Sequence, residues 1–135
     1  MECLITKLKA NVDNSSLPIL KEVIVKELKI NLIKGTTGRT YDIVLDTHIP
    51  FTGNYKAFIS LPEENIKNPS DTISIYENGV GGAYKYSNVS LNKETTINIK
   101  GGVDVTSLHP YISSKWFNFP TGDSFNIIIT IKYSV

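Results

Sequence analysis

Ser124-Phe125-Asn126-Ile127-Ile128-Ile129-Thr130-Ile131-Lys132-Tyr133-Ser134-Val135 is the stretch whose reading decides the fold. Extended, it sends Phe125, Ile127, Ile129, Ile131 and Tyr133 to one face. The other face carries Asn126, Ile128, Thr130 and Lys132 and is apolar only in its middle. That pattern is a central strand of a sheet, and a truncation at this end is expected to unfold the domain.

Composition agrees with a β fold. Ile, Val and Thr number 39 of 135 residues, against 3 Ala and no Gln. β-branched side chains suit a pleated surface, and the best helix formers are nearly missing. At 135 residues the chain is one domain with room for a real core.

Upstream of the last strand the same alternation recurs. Residues 1–20 read as an N-terminal arm that pairs or packs at an edge, with Leu4, Ile5 and Leu8 forming either one helical turn or a short strand, and Asp13-Asn14-Ser15-Ser16 a turn. Residues 21–135 form the folded domain. Between Lys21 and Lys34 the residues Leu20, Val23, Ile24 and Leu28 also fit a helical stripe, but the β-branched cluster and the Leu28, Ile30, Leu32 alternation favour a strand, with a bulge at Lys26-Glu27 to absorb a change of phase.

Gly35-Thr36-Thr37-Gly38 predicts a turn. Tyr41, Ile43, Leu45, Thr47 and Ile49 then take one face of a strand, with Asp42, Val44, Asp46 and His48 on the other, until Pro50 ends it. Further strands follow at Tyr55 to Leu61, Thr72 to Tyr76, Ala83 to Val89 and Thr95 to Lys100. Asn68-Pro69-Ser70 reads as a turn, and Asn78-Gly79 with Gly81-Gly82 supplies a hairpin loop. Val103 to Gly122 reads as the least regular segment, broken by His109-Pro110 and Phe119-Pro120, with room for a helical turn near Ser107 to Ile112. Eight candidate strands with no long helix imply an all-β, single-domain antiparallel β-sandwich, jelly-roll or immunoglobulin-like, preceded by an arm.

Charge excludes some functions. Thirteen Lys and one Arg balance 13 acids to a net +1, with both signs scattered, so no basic field exists to hold nucleic acid. No signal peptide and no apolar run near membrane-spanning length is visible, which implies synthesis in a reducing cytosol and no membrane partner. Cys3 is the single cysteine, so no internal disulfide forms.

No catalytic, cofactor or metal constellation is legible. Gly35 to Thr40 lacks the first glycine and the lysine of a phosphate loop and precedes a strand instead of a helix. Asp42 and Asp46 are about 13 Å apart along a strand, too far to share one ion, and the face they occupy with His48 reads as solvated. His109 precedes a proline, and no acid follows it closely. The expectation is a protein that is not an enzyme. The aromatics offer more: Tyr84 and Tyr86 share a strand face, and Tyr111, Trp116, Phe117 and Phe119 crowd one segment. Such rings stack on sugars or anchor a partner when exposed, and otherwise cap the sandwich; for Trp116 and Phe117 burial is the expectation.

The opening Leu4-Ile5-Thr6-Lys7-Leu8-Lys9-Ala10-Asn11-Val12-Asp13-Asn14, running through Leu17-Pro18-Ile19-Leu20 into a strand, resembles the start of small virion proteins of crAss-like tailed bacteriophages. The resemblance covers about the first 30 residues and carries over no functional residue. It implies an auxiliary (decoration) capsid protein, a head fibre or a tail component, located in the virion. The implied partners are the major capsid protein or other virion proteins, with homo-oligomers also open. Leu4, Ile5 and Leu8 would dock, with Tyr84, Tyr86, Tyr111 and Trp116 as further contacts. The alternative from another class is a glycan- or receptor-binding module of a phage fibre, with Tyr84, Tyr86 and Trp116 as stacking platforms.

Overall fold

Alternation along the chain becomes two packed antiparallel sheets in the computed structural model, which describes residues 23–45, 53–79, 82–99 and 105–134. The nine strands described are β1 (Val23–Ile33), β2 (Arg39–Thr40), β3 (Ile43–Val44), β4 (Gly53–Ser60), β5 (Thr72–Gly79), β6 (Gly82–Ser90), β7 (Thr95–Ile99), β8 (Ser107–Ile112) and β9 (Ser124–Ser134). One sheet has the order β1-β9-β4-β7; the other runs β2-β8-β5-β6, with β3 also on β8.

The pairings nest. β1 pairs with β9, β2 and β3 with β8, β4 with β7, and β5 with β6. This is a long double-stranded hairpin, and rolling it up adds the β4–β9 and β5–β8 ladders. Of the two sandwiches expected from sequence, the strand order is therefore that of a jelly roll.

β9 is central, flanked by β1 and β4, and Ile127, Ile129 and Ile131 are fully buried on its inner face. They meet Tyr55, Ala57 and Ile59 from β4, Ile97 and Ile99 from β7, and Ile73, Ile75 and Leu108 from the opposite sheet. Phe125 is half-buried at the strand's start. Burying each such aliphatic contributes about 1.5–3 kcal/mol.

Three sequence expectations are corrected. The bulge at Lys26-Glu27 is absent: β1 pairs with β9 in one unbroken register from Val23 to Ile33. Lys26 takes an inner-face position instead, and Val23 and Val25 point outward. The strand expected from Tyr41 is preceded by a short piece, β2, and interrupted at Tyr41-Asp42 before β3, although both pieces share one register on β8. Tyr41 stands opposite Pro110 and donates its N–H to the Pro110 carbonyl at 3.0 Å, but proline has no N–H to return. The third concerns residues 103–122, where the helical turn expected near Ser107 is strand β8, between β2 and β5 in the second sheet. A proline is rare in such a position. It is tolerated because its missing donor faces the short edge pieces and not β5.

Several turns form as read from sequence. Gly35 has φ +87°, and Thr36 N–H and Oγ1 both bond the Ile33 carbonyl. Asp71 N–H closes a turn on the Asn68 carbonyl at 3.0 Å.

Candidate functional site

At one end of the sandwich the β1–β2 turn, the segment after β4 and the β8–β9 connection meet around an open cleft of about 520 Å³. That size lies within the range of small-ligand sites. Each wall is pinned by hydrogen bonds to backbone. Ser114 Oγ donates to the Thr36 carbonyl at 2.5 Å, fastening the β8–β9 connection to the β1–β2 turn. Buried Asn65 donates from Nδ2 to the Asn118 carbonyl at 2.7 Å, and Asn118 N–H returns a bond to the Asn65 carbonyl at 2.9 Å. These bonds satisfy polar groups that burial would otherwise leave costly.

The chemistry of the lining is one-sided. Lys34, Lys67 and Lys115 line it with no acid among the lining residues, alongside Thr36, Thr37, Ser113 and Ser114. Lys67 Nζ donates to the Lys115 carbonyl at 3.4 Å, and none of the three lysines forms an ion pair among the described residues. Phe117 and Phe119 supply the apolar part of the wall. Both are held by Phe125, with ring centroids 5.8 and 4.9 Å apart.

Beside the cleft, Tyr111 and Trp116 pack as a tilted pair with centroids 5.8 Å apart. Tyr111 is exposed and lies against the backbone of Gly38, where any Cβ would overlap the phenol. Trp116 is half-buried, less than its sequence context suggests, whereas Phe117 is buried as expected. Of the expected contact residues the structure thus brings Tyr111 and Trp116 together. Tyr84 and Tyr86 have their backbone in β6, separated from β8 by β5; Tyr84 pairs with Glu77, and Tyr86 falls at a register shift. The side chains of Tyr84 and Tyr86, together with Leu4, Ile5, Leu8, Asp46 and His48, lie outside the described residues.

A second array was invisible in the sequence. Asp42 Oδ1 lies 2.7 Å from His109 Nδ1, and Ser107 Oγ lies 3.2 Å from His109 Nε2. The order of contacts is that of a hydrolase triad. The surroundings differ from one. The Asp42 side chain is 70% exposed, so water screens its charge, and the backbone of Ser107 to His109 runs in ladders with β3 and β5 instead of framing an oxyanion hole. Separation in sequence hid this array, because Asp42 and His109 become neighbours only through the β8 ladder.

One acid lies in the interior. Glu77 is 3% exposed and engaged by a partner. Nearby, Tyr55 stacks on Tyr133 at 5.1 Å, and its buried hydroxyl finds no hydrogen-bond partner among the described residues.

What the geometry defines is a jelly-roll sandwich with a basic, aromatic-flanked cleft at one end. No family model matches the chain, and no curated protein matches it. Among solved structures it is similar to a chain from Bacillus endospore appendages, described as a novel family of disulfide-linked pili. The TM-score is 0.38 at 10% identity, covering 86% of this chain and 91% of that one. A likeness at that level carries no argument about function.

Proposed function

We propose that this chain is a non-enzymatic structural protein of a tailed-bacteriophage virion, an auxiliary (decoration) protein docking on the capsid lattice through the side of the sandwich built by β1 and β3. The virion reading rests on the resemblance of residues 1–30. One observation carries the docking side. Four of the five large exposed hydrophobics among the described residues, Val23, Val25, Ile33 and Val44, lie on β1 and β3. These two edge elements approach one another across the sandwich.

β1 is suited to docking in its backbone as well. Lys34 N–H bonds the Asp123 carbonyl at 2.7 Å, which fixes the alternation of the ladder. Val23, Val25, Glu27, Lys29 and Asn31 therefore aim their amides and carbonyls at the far edge, where no described residue pairs with them. An edge of this kind is a template for strand addition. Residues 1–22 precede β1 directly in the sequence. Weak contacts made this way gain strength by repetition over a lattice.

Quantitative mass spectrometry of purified particles tests the reading. A copy number commensurate with the major capsid protein is expected. A handful of copies moves the protein to the neck or tail, and absence from particles removes the virion role. Undiminished capsid binding after deletion of residues 1–20 would remove the arm from the docking surface.

A second reading, a glycan- or receptor-binding module of a phage head or tail fibre, is favoured by a different observation: the Tyr111 and Trp116 pair beside the lysine-lined cleft. The two roles use different surfaces of the sandwich.

A further inference from the structure

We infer that the cleft among Lys34, Lys67 and Lys115 is a binding site for an acidic saccharide, a sugar bearing a carboxylate or sulfate group. The inference rests on the second reading above and names its ligand class. It is independent of the decoration role.

Three lysines line one concavity with no acid among its lining residues, an excess of like charge that nothing in the lining offsets. An anion relieves it. Lysine holds an anion as a flexible point charge, a mode that tolerates the varied geometry of sugar acids better than a rigid bidentate clamp would. The charge alone fits inorganic phosphate equally well, so the rest of the lining decides. A cleft of about 520 Å³ is several times what one phosphate fills. Its wall carries Phe117 and Phe119 as well as hydroxyls, a mixture matching a ring with an apolar C–H face and hydroxylated edges.

Two of the hydroxyls are placed to accept. Thr36 Oγ1 and Ser114 Oγ spend their protons on the Ile33 and Thr36 carbonyls, so their lone pairs remain for a sugar hydroxyl. Thr37 is exposed in the same turn. Outside the mouth, Tyr111 and Trp116 extend the site with two rings, as a chain of more than one sugar requires. A peptide bound by strand addition or as a helix would need an open strand edge or a long apolar groove. The cleft is instead framed by turns and loop segments pinned to one another.

Titration of the full chain with oligogalacturonate, oligosialate and a sulfated oligosaccharide, followed by emission of its single tryptophan and by the Lys67 and Lys115 amide resonances, tests the inference. At least one of the three is expected to bind saturably below about 10 mM. The methyl ester of oligogalacturonate and neutral galactose oligomers should bind at least tenfold more weakly. Lys67→Gln with Lys115→Gln should weaken binding by about tenfold or more, from loss of charge-assisted contacts. Trp116→Phe should weaken it less. Three results overturn the inference: no saturable binding by any of the acidic oligosaccharides, equal binding of the neutral ones, or full displacement by an equal concentration of inorganic phosphate, which would make the cleft a simple anion site. Circular dichroism of the variants separates lost binding from lost fold. Particle copy number, unaffected by any of these outcomes, reports on the decoration role alone.

Discussion

Asp42 stands directly opposite His109 across β8, with Oδ1 2.7 Å from Nδ1, at the place where Pro110 interrupts the backbone ladder. The side chains bridge the gap that the proline opens, which makes the pair a fastening for the β2–β3 edge. Cross-strand polar pairs contribute roughly 0.2–1 kcal/mol, and exposure of Asp42 puts this one within that range. A double-mutant cycle with Asp42→Asn and His109→Gln, measured by urea denaturation, should return a coupling energy of about 0.5 kcal/mol. Zero coupling would mean that the contact holds nothing. The Ser107 end of the array is not expected to do chemistry. Hydrolysis of p-nitrophenyl acetate by the wild-type chain should match Ser107→Ala, and a loss on substitution would restore the hydrolase reading.

Tyr55 is the place where removing an atom should help. Its hydroxyl is buried without a partner among the described residues, while the ring stacks on Tyr133. Tyr55→Phe keeps the stack and removes the unsatisfied group, so stability should rise by about 1 kcal/mol. The pH dependence gives an independent check. Burial first, then the neighbouring Tyr133 and Glu77, push the phenol above its ordinary value. The unfolded chain releases this proton near pH 10 while the folded chain keeps it. Above that pH the unfolded state binds fewer protons, so stability falls as pH rises, by up to about 1.4 kcal/mol per unit. Urea denaturation between about pH 9 and 11 should therefore show a shallower alkaline loss for Tyr55→Phe than for wild type.

Ile129 lies where β9 is paired on both sides, with Leu28 on one and Ile59 on the other, and it is fully buried. Ile129→Ala should cost about 2–5 kcal/mol, a large share of the stability of a domain this size. A cost under about 1 kcal/mol would show that the core collapses around the loss.

The contrast between β9 and β8 explains what could be read from sequence. β9 alternates cleanly because one face is core throughout, and that periodicity alone placed it centrally. β8 carries a histidine and a proline inside six residues, Ser107-Leu108-His109-Pro110-Tyr111-Ile112. Local propensity there argues against a strand. Tertiary context overrides it, because the missing proline N–H faces β2 and β3 while Leu108 and Ile112 still reach the core. The phase change expected in β1 failed for a related reason: Lys26 occupies an inner-face position and the valines beside it face out, so apolar character misreported the face. The cleft was illegible because its lysines are 33 and 48 residues apart, from Lys34 to Lys67 and from Lys67 to Lys115, and only the nested pairing of strands brings them together. Tyr111 and Trp116, by contrast, were visible as neighbours in one short segment.

Gly38 allows the Tyr111 ring to rest on the β1–β2 turn. Gly38→Ala sets a methyl group where the phenol lies, and the ring, exposed on its other side, can swing away. The stability cost should stay within about 1 kcal/mol, because a surface side chain yields more cheaply than a core one. Trp116 should report the movement directly, since it packs against Tyr111: its emission should shift to the red as the neighbouring ring leaves. An unchanged spectrum would place Tyr111 elsewhere in solution.

Val25 and Val44 test the docking side without touching the core. Their exposures are 54% and 64%, so Val25→Lys with Val44→Lys should change folding stability by no more than about 0.5 kcal/mol each. A charge on the exposed side of each of these edge elements blocks burial against a partner, and the one at Val25 discourages strand addition along β1. If this side meets the capsid, binding to capsids lacking the protein should fall at least tenfold. The same pair of changes should leave the Trp116 emission unaltered, because the cleft lies among other elements. Full capsid binding by a folded double variant would move the docking surface away from β1 and β3, and the search would then turn to the cleft end, where Tyr111 is the fifth exposed hydrophobic.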